Sequence, residues 1–372
     1  MMGERYVPET EPGWADIAAA QAGFDPAGLD AVQAFALANE SPMDRDIAKA
    51  LDGGHFSEAG PDGAIIGPTR PRGDPSGLIV RHGRIAAAWG PTGAPDMTFS
   101  VTKSYLAICA GLAVDDGLIP DIDAPAHDLV PDLFEASQNR SVTWRHLLQQ
   151  TSEWEGSLWD KADRIDRNRQ LNTPPGAPSL KGTHRDLQPP GAFWEYNDIR
   201  VNVLSYALMR VFRRPLPEVL AERIMRPIGA SEDWSWHGYE NSWIDLEGRR
   251  MQSVSGGAHW GGGLMISARD HARVGLLMAR GGQWGSRRLL SDDWIAACTT
   301  PCALNPQYGF LWWLNSDRGY SPSAPESSFF ALGVGRNVIW IDPPRDLVVV
   351  VRWLANDALD GFVAAVMAAL RE

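Results

Sequence analysis

Runs rich in strand-forming residues stand only toward the two ends of this chain, and no other feature constrains its fold as strongly. Residues 77–80 and 85–89 are apolar runs joined by Arg81-His82-Gly83-Arg84, which reads as a hairpin with glycine at the turn. Residues 329–332, 337–341 and 347–354 are β-rich as well, the last two joined by Asp342-Pro343-Pro344-Arg345-Asp346. The segments between, 105–114, 199–212, 216–228 and 268–278, read as helices; outside them, 29–37 and 361–370 do too. Terminal strands around a helical middle imply one sheet built from both ends of the chain. The expected fold is therefore α/β (α+β): an antiparallel sheet flanked by helices, with an inserted, mainly helical lobe. Residues 1–372 are expected to form a single unit, with an α/β lobe of about 20–99 plus 240–372 and a helical lobe of about 100–239.

Ser100-Val101-Thr102-Lys103 heads the first of the middle helices. A serine and a lysine three positions apart share one face within a turn. A hydroxyl attacks poorly until its proton is taken, and an adjacent amine kept neutral by burial or nearby positive charge would take it. The unpaired N–H groups of a helix start suit a developing oxyanion. The same four residues also read as an N-capping serine beside a solvated lysine. Composition favours the chemical reading: of 34 Lys+Arg, lysine stands only at Lys49, Lys103, Lys161 and Lys181. Arginine stays protonated in proteins and would not serve as a base.

The formal net charge of -12, with no basic run, argues against nucleic acid or an anionic membrane as partner. Cys109, Cys298 and Cys302 are odd in number and lack metal-ligand spacing with histidine, so neither a disulfide framework nor a metal site is expected. The polar, acidic start and the lack of a long apolar stretch point to a soluble, cytoplasmic protein. Residues 155–190 carry many charges and prolines and few aliphatic residues; a polar loop of that length is functional or disordered, and Trp159 within it suggests something to cover. There is no G-x-S-x-G elbow, no H-E-x-x-H and no G-x-G-x-x-G before a helix, which disfavours an α/β-hydrolase, a zinc protease and a dinucleotide enzyme.

With the motifs in this order, residues 24–370 resemble the serine hydrolases related to class C β-lactamases, which include penicillin-binding peptidases, carboxylesterases and hydrolases of 6-aminohexanoate oligomers. Ser100-Val101-Thr102-Lys103 resembles their nucleophile motif, and residues 143–152 their H-L-L-x-H-T-S segment. Phe193-Trp194-Glu195-Tyr196-Asn197-Asp198 resembles the segment carrying Y-x-N, residues 262–270 the glycine turn and helix after it, and Ala331-Leu332-Gly333 falls where the family has K-T-G or H-x-G.

The resemblance implies Ser100 as nucleophile, Lys103 and Tyr196 sharing the proton work, and the N–H groups of Ser100 and Val334 holding the oxyanion, with no cofactor and no metal. Asp198, Trp159, Trp260 and Gly333 are the expected supporting or substrate-binding residues; Trp312 and Trp313 could also line an acyl pocket, although with 16 tryptophans most must simply pack. His146 and His259 read as structural. Two positions depart from the family. Asp198 stands in the place of the motif's asparagine, so a carboxylate would face Lys103 and keep it protonated, moving the base role toward Tyr196. Ala331 replaces the basic residue that β-lactam and peptidoglycan substrates use to bind their carboxylate. The expected activity is hydrolysis of a small-molecule ester or amide through an acyl-enzyme on Ser100. A β-lactamase or D-amino-acid peptidase, and a non-catalytic binding or sensor protein on the same fold, are the alternatives; the oligomeric state is left open.

Overall fold

The computed structural model describes residues 5–52, 56, 60–171 and 179–371. Its main sheet has six antiparallel strands, in the order Trp313–Leu314, Phe329–Gly333, Asn337–Asp342, Leu347–Arg352, Ser76–Arg81 and Arg84–Trp89. The N-terminal hairpin thus joins the C-terminal strands edge to edge, through a register that sets Ser76 opposite Arg352 and Arg81 opposite Leu347.

Both faces of this sheet are covered, which is why Leu347-Val348-Val349-Val350-Val351 is apolar without interruption. Alternate side chains point to opposite faces. Ile79, Phe330, Trp340 and Val349 meet the helices Pro26–Ala38 and Leu359–Ala369 on one face. Leu78, Val80, Ile339, Val348 and Val350 meet the helix Ala268–Ala279 and the central core on the other. Gly275 lets that helix sit close, since a Cβ there would lie 2.5 Å from Val348 Cγ1. The helix opens on Ser267, whose hydroxyl accepts from Asp270 N as expected of a cap. Asp25, expected near the start of the first helix, occupies the N-cap position without a side-chain cap bond.

The helix Thr102–Asp115 is buried from Thr102 to Ala113. It is apolar all round because protein surrounds it, with Asp198–Phe212 beside it in the same core. A second, four-stranded sheet that periodicity did not reveal is ordered Asp96–Met97, Gly263–Ile266, Ser235–Leu246, Arg249–Val254. Its strand Ser235–Leu246 runs across residues 239 and 240, where the helical lobe was expected to give way to the α/β lobe.

Candidate active site

Ser100 lies in a short 3-10 turn, Phe99–Val101, that leads directly into the helix Thr102–Asp115. Phe99 takes a φ of 49°, which non-glycine residues seldom adopt. The strand Phe329–Gly333 runs against this turn, and it can do so because position 333 has no side chain. A Cβ on Gly333 would sit 2.1 Å from Thr98 O and 3.3 Å from Ser100 N. Val334 follows at once, its carbonyl tied to Asn337 Nδ2 at 2.7 Å. Ala331 is buried in the apolar core, so no charge stands at the head of this motif.

Lys103 Nζ donates to Ser100 Oγ at 2.9 Å and forms an ion pair with Asp198 Oδ1, with both charged side chains fully enclosed. Burial alone would push the lysine down; Asp198 outweighs it and holds the ammonium above its ordinary range. Burial would likewise raise Asp198, but Lys103 and Arg169 together keep its carboxyl well below the usual carboxylate range. The local sequence explains why the carboxylate points this way. Asn197 caps the helix Asp198–Phe212, accepting from Ile199 N and Arg200 N, so Asp198 becomes the first helical residue and turns its side chain toward Lys103.

Asp198 is held from three further directions. Its Oδ2 accepts from Arg169 Nη1 at 2.5 Å and from His259 Nδ1 at 2.6 Å, and its backbone N–H donates to Asp166 Oδ2 at 2.7 Å. Lys181 Nζ lies 3.0 Å from Asp166 Oδ1 and 3.1 Å from His259 Nε2. A lysine ammonium can only donate, so His259 accepts at Nε2 and carries its proton on Nδ1, toward Asp198. Asp166, Asp198 and His259 offer ligand atoms within 4.8 Å of one another, a spacing that could hold a metal ion. The chemistry of the set does not fit one. Lys103, Arg169 and Lys181 already pair with the two carboxylates.

Tyr196 is buried two residues before Asp198. Its ring stacks on Trp313, centroids 5.9 Å apart, and stands edge-on to Tyr308 at 6.3 Å. Lys103 Nζ lies 4.7 Å from the ring centroid and the Arg169 guanidinium 5.2 Å. The three motif residues expected to act together are thus brought together, and Gly333 is beside them.

Trp260 is one ring further out, 4.2 Å from the His259 ring, with its Nε1 donating to Asp62 O at 2.7 Å. Trp159 stands edge-on to Tyr239, which in turn meets Trp260, at centroid distances of 5.7 and 6.3 Å. Trp312 packs on Phe329, in the core. His146 is structural, its Nδ1 accepting from Thr143 N across a helix start. His259, expected to be structural, touches the carboxylate that holds Lys103.

The sequence profile described as Beta-lactamase matches residues 78–371. The chain belongs to the Beta-lactamase family. Family membership makes it a hydrolase. Among curated proteins it is 24% identical over 300 residues to the 6-aminohexanoate-dimer hydrolase of Paenarthrobacter ureafaciens, covering 73% of this chain and 70% of that one. Among solved structures it resembles a penicillin-binding protein homologue from Caulobacter crescentus, with 17% identity, TM-score 0.57, and 94% and 99% of the two chains covered. It also resembles EstCE1, a hydrolase with promiscuous acyltransferase activity, with 16% identity, TM-score 0.56, and coverage of 93% and 99%. These structural likenesses support the antiparallel sheet flanked by helices.

Sequence reasoning missed Arg169, Asp166 and Lys181, all from the long polar loop. The signal was the loop's composition. Charged residues without aliphatic neighbours must dock through ion pairs, and a second set does so further along. Glu153 and Glu195 hold Arg185 at 2.6 and 2.7 Å, and Glu153 holds Arg200 at 2.7 Å.

Proposed function

We propose that this protein hydrolyses small esters or amides through an acyl-enzyme on Ser100, with Tyr196 as the proton-transfer group and Lys103 as a fixed cation. One observation carries the reading: Lys103 donates to Ser100 Oγ while Asp198 keeps it charged. An ammonium that donates to the serine oxygen cannot also receive the serine proton, so the hydroxyl hydrogen is left to the phenol side of the site. Two cations, Lys103 Nζ at 4.7 Å and the Arg169 guanidinium at 5.2 Å, lie against the Tyr196 ring.

In the first step Ser100 Oγ bonds to the substrate carbonyl carbon as its proton passes to the oxygen of a Tyr196 phenolate. The carbonyl electrons become an oxyanion held by the N–H groups of Ser100 and Val334. Collapse expels the alcohol or amine, which takes the proton from Tyr196. Water then repeats the sequence on the acyl-enzyme and frees the acid. Gly333 supports this assignment by letting the strand that carries Val334 approach Ser100. The amide-cleaving name of the Paenarthrobacter relative supports the substrate class. The buried, uncharged Ala331 argues against substrates that need a cation for their carboxylate, which places a β-lactamase or D-amino-acid peptidase activity second.

Two assays test the reading together. A fluorophosphonate probe should label wild type once and leave Ser100→Ala unlabelled. p-Nitrophenyl acetate should be turned over at least tenfold faster than nitrocefin. Equal rates would return the β-lactamase reading to first place, and failure to label would support a non-catalytic protein.

A further inference from the structure

A second site of strong charge lies at the opposite end of the main sheet. The active serine adjoins the end where Gly333 pairs with Asn337 and Ser76 with Arg352. Along the six-residue strand Ser76–Arg81 the chain travels about 17 Å, at about 3.3 Å per residue, to the turn Arg81-His82-Gly83-Arg84. There a cavity of about 420 Å³ opens, lined among the described residues by Arg5, Arg81, Arg84, Arg280 and Arg345 together with Asp346. Five arginines around one cavity are conspicuous in a chain of net charge -12.

These arginines are not all accounted for by protein partners. Arg280 holds Asp346 through two hydrogen bonds of 3.1 and 2.9 Å, and Arg345 pairs with Asp342 at 3.0 Å. Among the described residues, no carboxylate forms an ion pair with Arg5, Arg81 or Arg84. Arg81 Nε and Nη1 are shielded from solvent without a hydrogen-bond partner, a costly state for a guanidinium. Arg84 is set in place by the Tyr6 ring, 3.9 Å from its centroid. The walls are fixed as well. Arg280 Nη1 donates to Tyr6 O at 2.6 Å, and His82 N donates to Asp346 O at 3.2 Å, so the N-terminal arm, the hairpin turn, the helix end and the 342–346 turn meet there through existing bonds.

We propose that this cavity binds a small phosphate-bearing anion, at a site separate from the serine centre, which clamps the N-terminal arm to the end of the sheet. Planar guanidinium forks match phosphate oxygens two at a time, and several forks around one cavity select a multiply charged anion. Burial, then the neighbouring Arg345 charge, both press the Arg81 guanidinium below its ordinary range, and the charge of a bound anion would act against both.

The test is isothermal titration of the full chain with inorganic phosphate and with pyrophosphate at constant ionic strength, alongside citrate as a tricarboxylate and chloride. Pyrophosphate is expected to bind saturably, one per chain, and to raise the melting temperature. Arg81→Gln and Arg84→Gln should each weaken it tenfold or more while p-nitrophenyl acetate hydrolysis stays within twofold of wild type. Arg84→Gln, at a partly exposed position, carries the test if Arg81→Gln fails to fold. No saturable binding, citrate binding as tightly as pyrophosphate, indifference to Arg84→Gln, or competition between pyrophosphate and the ester would each overturn the proposal.

Discussion

Asp198→Asn is the substitution that isolates what the carboxylate does to the lysine. It keeps the side-chain shape and an oxygen able to accept from Lys103, but removes the anion that Lys103 and Arg169 share. Two unit charges about 4 Å apart at an effective dielectric of about 20 interact by about 4 kcal/mol, close to a thousandfold in proton affinity. The pair here is at hydrogen-bond contact, so the loss is at least of that order. Lys103 in the wild type stays charged through the neutral range; in the variant its proton is lost within the range a pH–rate profile covers. The profile of kcat/KM for p-nitrophenyl acetate between pH 5.5 and about 10 should therefore gain an ionisation that wild type lacks. Unfolding in urea should also show a loss of about 3 to 5 kcal/mol, since unpaired cations remain buried. A pH profile superimposable on wild type would refute the claim that Asp198 sets the charge of Lys103.

Four further substitutions probe other parts of the account. Tyr196→Phe removes only the phenol oxygen and keeps the stack on Trp313, so acylation should fall by about 10² to 10⁴ with little change in melting temperature; near-normal turnover would place the base elsewhere. Gly257→Ala would put a Cβ 2.4 Å from Asp198 Oδ1 and 2.5 Å from Lys103 Nζ, whereas the nearest atoms to a Cβ at Gly256 belong to the apolar Val201 and Leu106. Both should destabilise by about 1 to 3 kcal/mol, but only the first should lower kcat, by tenfold or more; equal effects on kcat would contradict the role of the ion pair. His271 is enclosed between Thr98 Oγ1 and Tyr105 OH, each at 2.8 Å, and burial followed by the Arg352 charge holds it well below its usual range. Below about pH 6.5 the unfolded chain takes up a proton that the folded one refuses, so stability should fall with falling pH by about 1.4 kcal/mol per unit. His271→Asn should reduce that slope by one proton's worth in urea titrations at successive pH values; an unchanged slope would show that His271 does not contribute.

How far the site was legible from sequence depended on whether its parts were local. Ser100 and Lys103 share a turn, and Tyr196 and Asp198 flank a helix cap, so short motifs carried them. The departure at Asp198 was informative because a carboxylate near a lysine has one electrostatic consequence wherever the backbone lies. Strands 329–333, 337–342 and 347–352 were readable because burial on both faces leaves continuous apolar runs. Ser235–Leu246 was not, because its exposed residues and mixed polarity hide the period of two. Arg169, Lys181 and His259 meet Asp198 and Asp166 only through tertiary docking of a polar loop. No local pattern announces such a contact; the loop's charge and its scarcity of aliphatic residues were the only traces.

The central claim is that Ser100 carries the acyl group during turnover. Rapid quenching of the full chain with p-nitrophenyl acetate, followed by intact mass and peptide mapping, measures this directly. The account predicts one added acetyl group, located on the peptide containing Ser100, formed in a burst stoichiometric with p-nitrophenol and absent from Ser100→Ala. An adduct on another residue, or turnover by Ser100→Ala at the wild-type rate, would contradict it.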